Sequence, residues 1–212
     1  MAIRWHDATI PMQEGMTVWP GDPPFEFKPV CRIRNGDGCN TSRIALSTHV
    51  GTHVDAPWHF QENGKRLHEV DTTLFFGEAL LIEIPGVDLI HAADLGPAAL
   101  PRRVIIKTRN AEYPVNAPFQ KDYVALDEDA AQRLADERVR LVGIDYLSVA
   151  PFKQNGQATH HILLENEIMV VEGLCLKGLP TGPCWFNMLP LALVEADGAP
   201  CRAFVGYQEY EA

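Results

Sequence analysis

The segment DEDAAQRLADERVRLVGID, residues 127–145, changes its periodicity halfway along and sets the fold class. Asp127 is followed by two acids, and Ala130, Ala131, Leu134 and Ala135 then recur at helical spacing. An N-cap aspartate with acids in the first turn predicts a helix over 127–139. RLVGID (140–145) follows without a linker and reads as a short buried strand. A helix running straight into such a strand is a connection of layered α/β domains. RIALSTHV (43–50), ALLIEI (79–84), RVIIKT (103–108) and IMVVEGLCL (168–176) read as further strands, each bounded by Gly, Pro, Asn or Asp. ADLGPAAL (93–100) reads as a second, shorter helix, and 16 Pro with 16 Gly imply many turns. The expectation is a single compact α/β domain over residues 1–212, with more strand than helix.

Bulk properties narrow the function. A chain of 212 residues suffices for one closed core, and 46% hydrophobic with 22% charged residues are globular values. A net charge of -10 argues against nucleic acid or an anionic membrane surface as the main partner, since both select basic patches. The five cysteines, at 31, 39, 175, 184 and 201, are odd in number and lack a CxxC pair. That pattern fits neither a disulfide framework nor a zinc finger and suits a reducing compartment. MAIRWHDATI has no apolar core of a signal peptide, and no apolar run nears the ~20 residues of a membrane span. A cytoplasmic protein is expected.

The chemistry concentrates in HVGTHVDAPWHF, residues 49–60, which holds His49, His53, Asp55 and His59 out of 8 histidines in all. Gly51 and Pro57 oppose a helix there, and Thr48, Val50, Thr52 and Val54 favour extended chain. In extended chain the four polar positions share parity and face one side. A straight strand would nevertheless separate His49 from His53 by about 13 Å. Ligands of one zinc lie only about 2 Å from the metal, so the chain must bend, and Gly51 is the residue that permits it. The expected path is a strand to about Val50, a turn at Gly51 and a short extended piece carrying Asp55. A solvated loop is the bland alternative; three imidazoles and a carboxylate of equal parity favour a shared metal.

ATHHILLENEIMVVEGL (158–174) offers the rest of a ligand shell. Glu172 sits in an apolar run, where a carboxylate is costly unless a metal or a basic side chain partners it. Both readings stand on local sequence. His160 and His161 are adjacent, so in extended chain only one faces the site, and spacing does not choose between them.

At this point the chain resembles the metal-dependent cyclase-like hydrolases that include bacterial kynurenine formamidase (arylformamidase). HVGTHVDAPWH fills every fixed position of the family motif H-x-G-[TA]-H-x-D-x-P-x-H. TVWPGDPPF (17–25) resembles the family's W-P-G-D turn, RLVGIDYLSV (140–149) its central strand and loop, and 158–174 its second metal segment. The resemblance implies an α/β fold of the swivelling β/β/α type, a homodimer or higher oligomer, and a two-metal site, zinc in the formamidases and manganese in relatives. It implies that His49, His53 and Asp55 hold one ion. Asp55 would bridge to a second ion completed by His160 and Glu172, with Glu172 touching both. The family spacing of twelve residues before the glutamate selects His160. His59 is then the acid/base group, and Trp19 lines an aromatic substrate pocket, unless it merely caps the core as a turn tryptophan. The implied activity is hydrolysis of N-formylkynurenine, a small aromatic amide, to kynurenine and formate. Hydrolysis of isatin or another cyclic amide or lactam is the alternative. Thr52 stands where many formamidases have alanine, whereas His160 with Glu172 matches their two-zinc pattern better than the single-manganese isatin enzymes. A non-catalytic metal-binding protein is the reading from a different class. Structural zinc sites, however, close with four ligands, often cysteine, and none of the cysteines lies near the motif.

Overall fold

In the computed structural model, which describes residues 2–152 and 156–209, Asp127 accepts a hydrogen bond from Ala130 N at 2.8 Å and caps helix α1, Glu128–Asp136. Such a cap contributes about 1 kcal/mol. Ala130, Ala131 and Leu134 form its buried face. The helix ends at Asp136, and Arg138, at φ 61°, turns the chain back, so that strand Leu141–Ile144 begins two residues beyond Val139. The helix-to-strand reading of 127–145 holds, with the helix three residues shorter at its end.

The strands in chain order are β1 (Ile3–Asp7), β2 (Glu26–Cys31), β3 (Thr41–Ala45), β4 (His53–Asp55), β5 (Phe76–Glu83), β6 (Arg103–Lys107), β7 (Leu141–Ile144), β8 (Met169–Glu172), β9 (Gly182–Pro190) and β10 (Gly198–Gln208). β5, β6, β7 and β8 are parallel neighbours. β8 then pairs antiparallel with β4, β4 with β10, β10 with β9, and β9 with β5, so seven strands close a ring, with β1 on the outer edge of β10. Closure explains the unbroken Ile, Val and Leu runs, because the parallel strands are covered on both faces. Ile105, Leu141 and Val171 point into the ring with Phe186 and Val205. Their neighbours Val104, Ile106, Val142 and Val170 point outward against α1 and the second helix, α2 (Gly156–Glu165), meeting Leu134, Leu163 and Leu164. The result is one α/β fold with two α-helices and mostly strands among the described residues. No helix of the described residues is long and apolar enough to cross a membrane.

Three expectations change. Residues 43–50 are not a strand of the main sheet: β3 ends at Ala45 and pairs only with β2, forming a hairpin arm off the ring. The arm leaves Phe27, Val30, Ile33 and Ile44 exposed. Residues 93–100 hold a single 3-10 turn, Ala92–Leu95, because Gly96 and Pro97 end it. Residues around His160 are helical rather than extended, since Leu163 and Leu164 pack as one helix face.

Candidate metal centre

β4 is the spine of the site. His53 and Asp55 are two residues apart on it and project to the same side. His53 lies directly opposite Glu172 of β8, so strand pairing brings an imidazole and a carboxylate together. His49 arrives by a different route. The chain leaves the arm, turns through Gly51 at φ +64°, and doubles back against β8. Gly173 sits under this turn at φ +69°, and a Cβ there would lie 2.3 Å from the Gly51 carbonyl oxygen. These two glycines let the loop and the strand touch. Thr52 fastens the contact by donating from Oγ1 to the Gly173 carbonyl at 2.5 Å. Past Asp55, Pro57 opens the 3-10 turn Pro57–His59, which carries His59 back to the cluster. Equal parity thus leads to convergence, but through two turns around a three-residue strand rather than along one extended segment.

The distances define the cluster. His49 Nδ1 lies 2.9 Å from Asp55 Oδ1, and His49 Nε2 lies 2.9 Å from Asp197 Oδ2. His53 Nε2 is 3.5 Å from Asp55 Oδ1 and 3.3 Å from Glu172 Oε2. His160 Nε2 is 3.2 Å from Glu172 Oε1 and 3.8 Å from Asp55 Oδ2. Helix α2 resolves the pair of adjacent histidines, since His160 is buried and His161 points to the surface. Phe60 stacks on His160 with ring centroids 4.4 Å apart and fixes its plane. Among the described residues no arginine pairs with Glu172; its carboxylate instead also accepts from Val149 N at 2.6 Å.

Two features fit a cation. His53 Nδ1 donates to the Gly51 carbonyl at 2.9 Å, which fixes the ring with Nε2 turned toward two carboxylates. Asp55 Oδ2 is buried and has no hydrogen-bond partner. Buried carboxylates without enough donors are held by positive charge. His49, His53 and Asp55 form one set of ligand atoms mutually within 4.8 Å, and Asp55, His160 and Glu172 form another. Mixed imidazole and carboxylate oxygen donors suit zinc and its neighbours in the first transition row.

The carboxylates and His49 shift one another strongly. Burial alone would lower the His49 pKa, but hydrogen bonds to Asp197 and Asp55 outweigh it and push the group up to about 10. Burial would raise Asp55, yet the His49 hydrogen bond and the surrounding imidazoles hold it below the usual carboxylate range. Asp197 is likewise held low, first by its hydrogen bond to His49.

Asp197 had no signal in the sequence. It lies in an Asp-Gly pair that reads as a turn, and only its place just before β10 carries it to the cluster. Ala56 N donates to its backbone carbonyl at 2.8 Å, Thr48 Oγ1 donates to its side chain at 3.0 Å, and His59 Nδ1 stands 3.8 Å away. His59 also stacks on His49, with centroids 3.9 Å apart.

The cluster floors a cavity of about 800 Å³ whose walls include Trp19, Phe60, Leu147 and Phe152, with His59 at its side. Trp19 meets Phe119 and Phe152 edge-on at 5.2 and 5.4 Å, so it both lines the cavity and closes a small aromatic core. A second cavity of about 320 Å³ shares Leu147 but contains no imidazole.

The chain is 33% identical over 210 residues to kynurenine formamidase of Bacillus cytotoxicus, covering 96% of this chain and 98% of that one. A solved structure titled as a predicted metal-dependent hydrolase from Bacillus stearothermophilus superposes with a TM-score of 0.84 at 31% identity, covering 97% of this chain and 99% of the other. Isatin hydrolase A from Labrenzia aggregata shares the fold, with a TM-score of 0.82 at 17% identity over 98% of this chain and 94% of its own. The family model named Cyclase matches residues 6–151, and with relatives of this identity along nearly the whole length the chain belongs to the cyclase family.

Proposed function

We propose that the protein is a metal-dependent amide hydrolase that acts as an arylformamidase, converting N-formylkynurenine to kynurenine and formate. The observation that carries the reading is the double set of imidazole and carboxylate donors around the unpartnered Asp55 oxygen, at the floor of an aromatic-walled cavity. The full-length formamidase relatives support the same substrate. His49, His53 and Asp55 would hold one zinc ion, and Asp55, His160 and Glu172 a second, with Glu172 shared through its contacts to both His53 and His160. When bound, such ions make water acidic and polarise a carbonyl. The residues of the chain do the rest. Trp19 and Phe152 flank the aryl ring. His59 delivers a proton to the departing aryl nitrogen, so that it leaves as a neutral amine. Asp197 Oδ2 stands 3.8 Å from His59 Nδ1 and helps orient the ring.

The test is protein with its metal quantified, assayed on N-formylkynurenine, isatin and formanilide. The expected order of kcat/KM places N-formylkynurenine first; a preference for isatin would assign the cavity to cyclic amides instead.

Metal uptake has a definite pH sign. His49 is raised to about 10 in the metal-free protein, so it carries a proton at pH 7 and must give it up to ligate. Zinc loading should therefore release protons at pH 7, and apparent affinity should climb as pH rises from 7 towards 10. Titration of apoprotein with zinc in weakly buffered indicator dye reads this directly. No proton release would show that His49 does not bind the metal.

The working unit is a homodimer or higher oligomer, and the β2–β3 arm is the element that favours a second copy. A two-stranded hairpin alone is marginal in water, and this one exposes Phe27, Val30, Ile33 and Ile44. Its Lys28, Arg32, Arg34 and Arg43 also contrast with the overall charge of -10. Light scattering is expected to give at least twice the 23.6 kDa chain mass for the wild type, and F27D with I44D together a monomer. The five free cysteines suit a reducing cytoplasm.

A further inference from the structure

One carboxylate in the cavity wall belongs neither to the metal cluster nor to its imidazoles. Asp22 follows Trp19 in the W-P-G-D turn, where its backbone N–H donates to the Trp19 carbonyl at 3.0 Å. Its Oδ2 accepts a hydrogen bond from Ser47 Oγ at 2.9 Å, and Ser47 Oγ in turn accepts from His49 N at 3.2 Å. Ser47 is the only side-chain partner of Asp22 among the described residues, and it is neutral. The other carboxylates lining the cavity are engaged, Glu172 by His53 and His160 and Asp197 by His49 and Thr48. Asp22 therefore stands half-buried in the wall of the cavity that the Trp19 indole also lines, with no counter-ion among the described residues.

A carboxylate next to an aromatic ring is a receptor for an alkylammonium group: the oxygen takes a charge-assisted hydrogen bond, and the π-face attracts the same cation. N-formylkynurenine carries such an ammonium on its amino-acid tail, away from the formamide; isatin and formanilide carry none. We propose that Asp22 is a specificity residue that binds the α-ammonium of an amino-acid-bearing aryl formamide while the formamide sits over the histidine and carboxylate cluster. This assignment rests on the arylformamidase reading of the cavity. A purely structural role, tethering Ser47 and through it the His49 loop, is the competing account. Asp22→Asn separates the two, because the amide oxygen still accepts from Ser47 while the charge is gone.

The experiment compares wild type and D22N, both zinc-loaded, on N-formyl-L-kynurenine and on its Nα-acetyl derivative, in which the ammonium is neutralised. Loss of a charged hydrogen bond corresponds to about tenfold or more. The expected result is that D22N loses about that factor in kcat/KM for the free-amine substrate relative to the acetylated one, mostly through KM. Equal losses on both substrates would overturn the proposal and leave Asp22 as a tether. Calorimetric binding of L-kynurenine against Nα-acetyl-L-kynurenine to the same two proteins gives a readout independent of turnover. Preference for the free amine in wild type, abolished in D22N, supports the assignment; no preference in wild type refutes it. A wild type that hydrolyses neither formamide overturns the arylformamidase reading, and the binding measurement still decides the role of Asp22.

Discussion

Replacing Asp55 with asparagine is expected to strip the protein of metal and reduce kcat/KM by about 10^3-fold or more. Asp55 belongs to both candidate ligand sets, and its Oδ2 has no hydrogen-bond partner among the described residues to keep it in place otherwise. Metal ions contribute several kcal/mol of transition-state stabilisation in hydrolases, and each 1.36 kcal/mol is about tenfold in rate. Asparagine keeps the size and an acceptor for His49 but removes the negative charge that offsets the cations. Glu172→Gln should act in the same direction, since Glu172 touches His53 and His160. Elemental analysis beside steady-state kinetics reads both effects. A D55N protein that retained its full metal complement would place the ions elsewhere.

His59→Ala should behave in the opposite way on metal and in a similar way on rate. His59 is more exposed than the buried donors, faces the cavity and contacts Asp197 rather than Asp55 or Glu172. The five remaining donors are untouched, so metal content should equal that of the wild type. The rate should fall by about 10^2 to 10^4-fold, the usual contribution of a positioned general acid. Added imidazole should restore part of it by entering the space vacated. There is a real competitor: His49, His59 and Asp197 also lie close enough to share an ion. Metal loss in H59A would favour that grouping and make His59 a ligand.

Much of the site was written in local sequence, and the missing part has one cause. The eleven residues from His49 to His59 contain three of the imidazoles and the shared carboxylate, and their glycine and proline mark the two bends. Glu172 advertised itself by being a carboxylate in an apolar strand. Local signals failed where a residue's neighbours in space are distant in sequence. Residues 41–45 have strand composition, but whether they join the ring or form an arm depends on partners far away. Residues 158–164 carry β-branched and apolar residues that suit either backbone, and packing of Leu163 and Leu164 beneath α1 settles the helix. Asp197 looked like a turn aspartate because it lies 148 positions along the chain from His49, which hides their contact. Ring closure itself leaves no mark on any single strand.

The position of β10 carries a consequence for how the molecule is made. Its residues pair with β4, β9 and β1, so the segment emerging late from the ribosome is the one that locks segments made near the beginning. A nascent chain that has displayed His49, His53 and Asp55 still lacks Glu172, Asp197 and the closing strand. Contacts of such large sequence separation are slow to form. The donor cluster is therefore complete only once β8 and β10 have docked against β4, so the site assembles with the ring rather than before it.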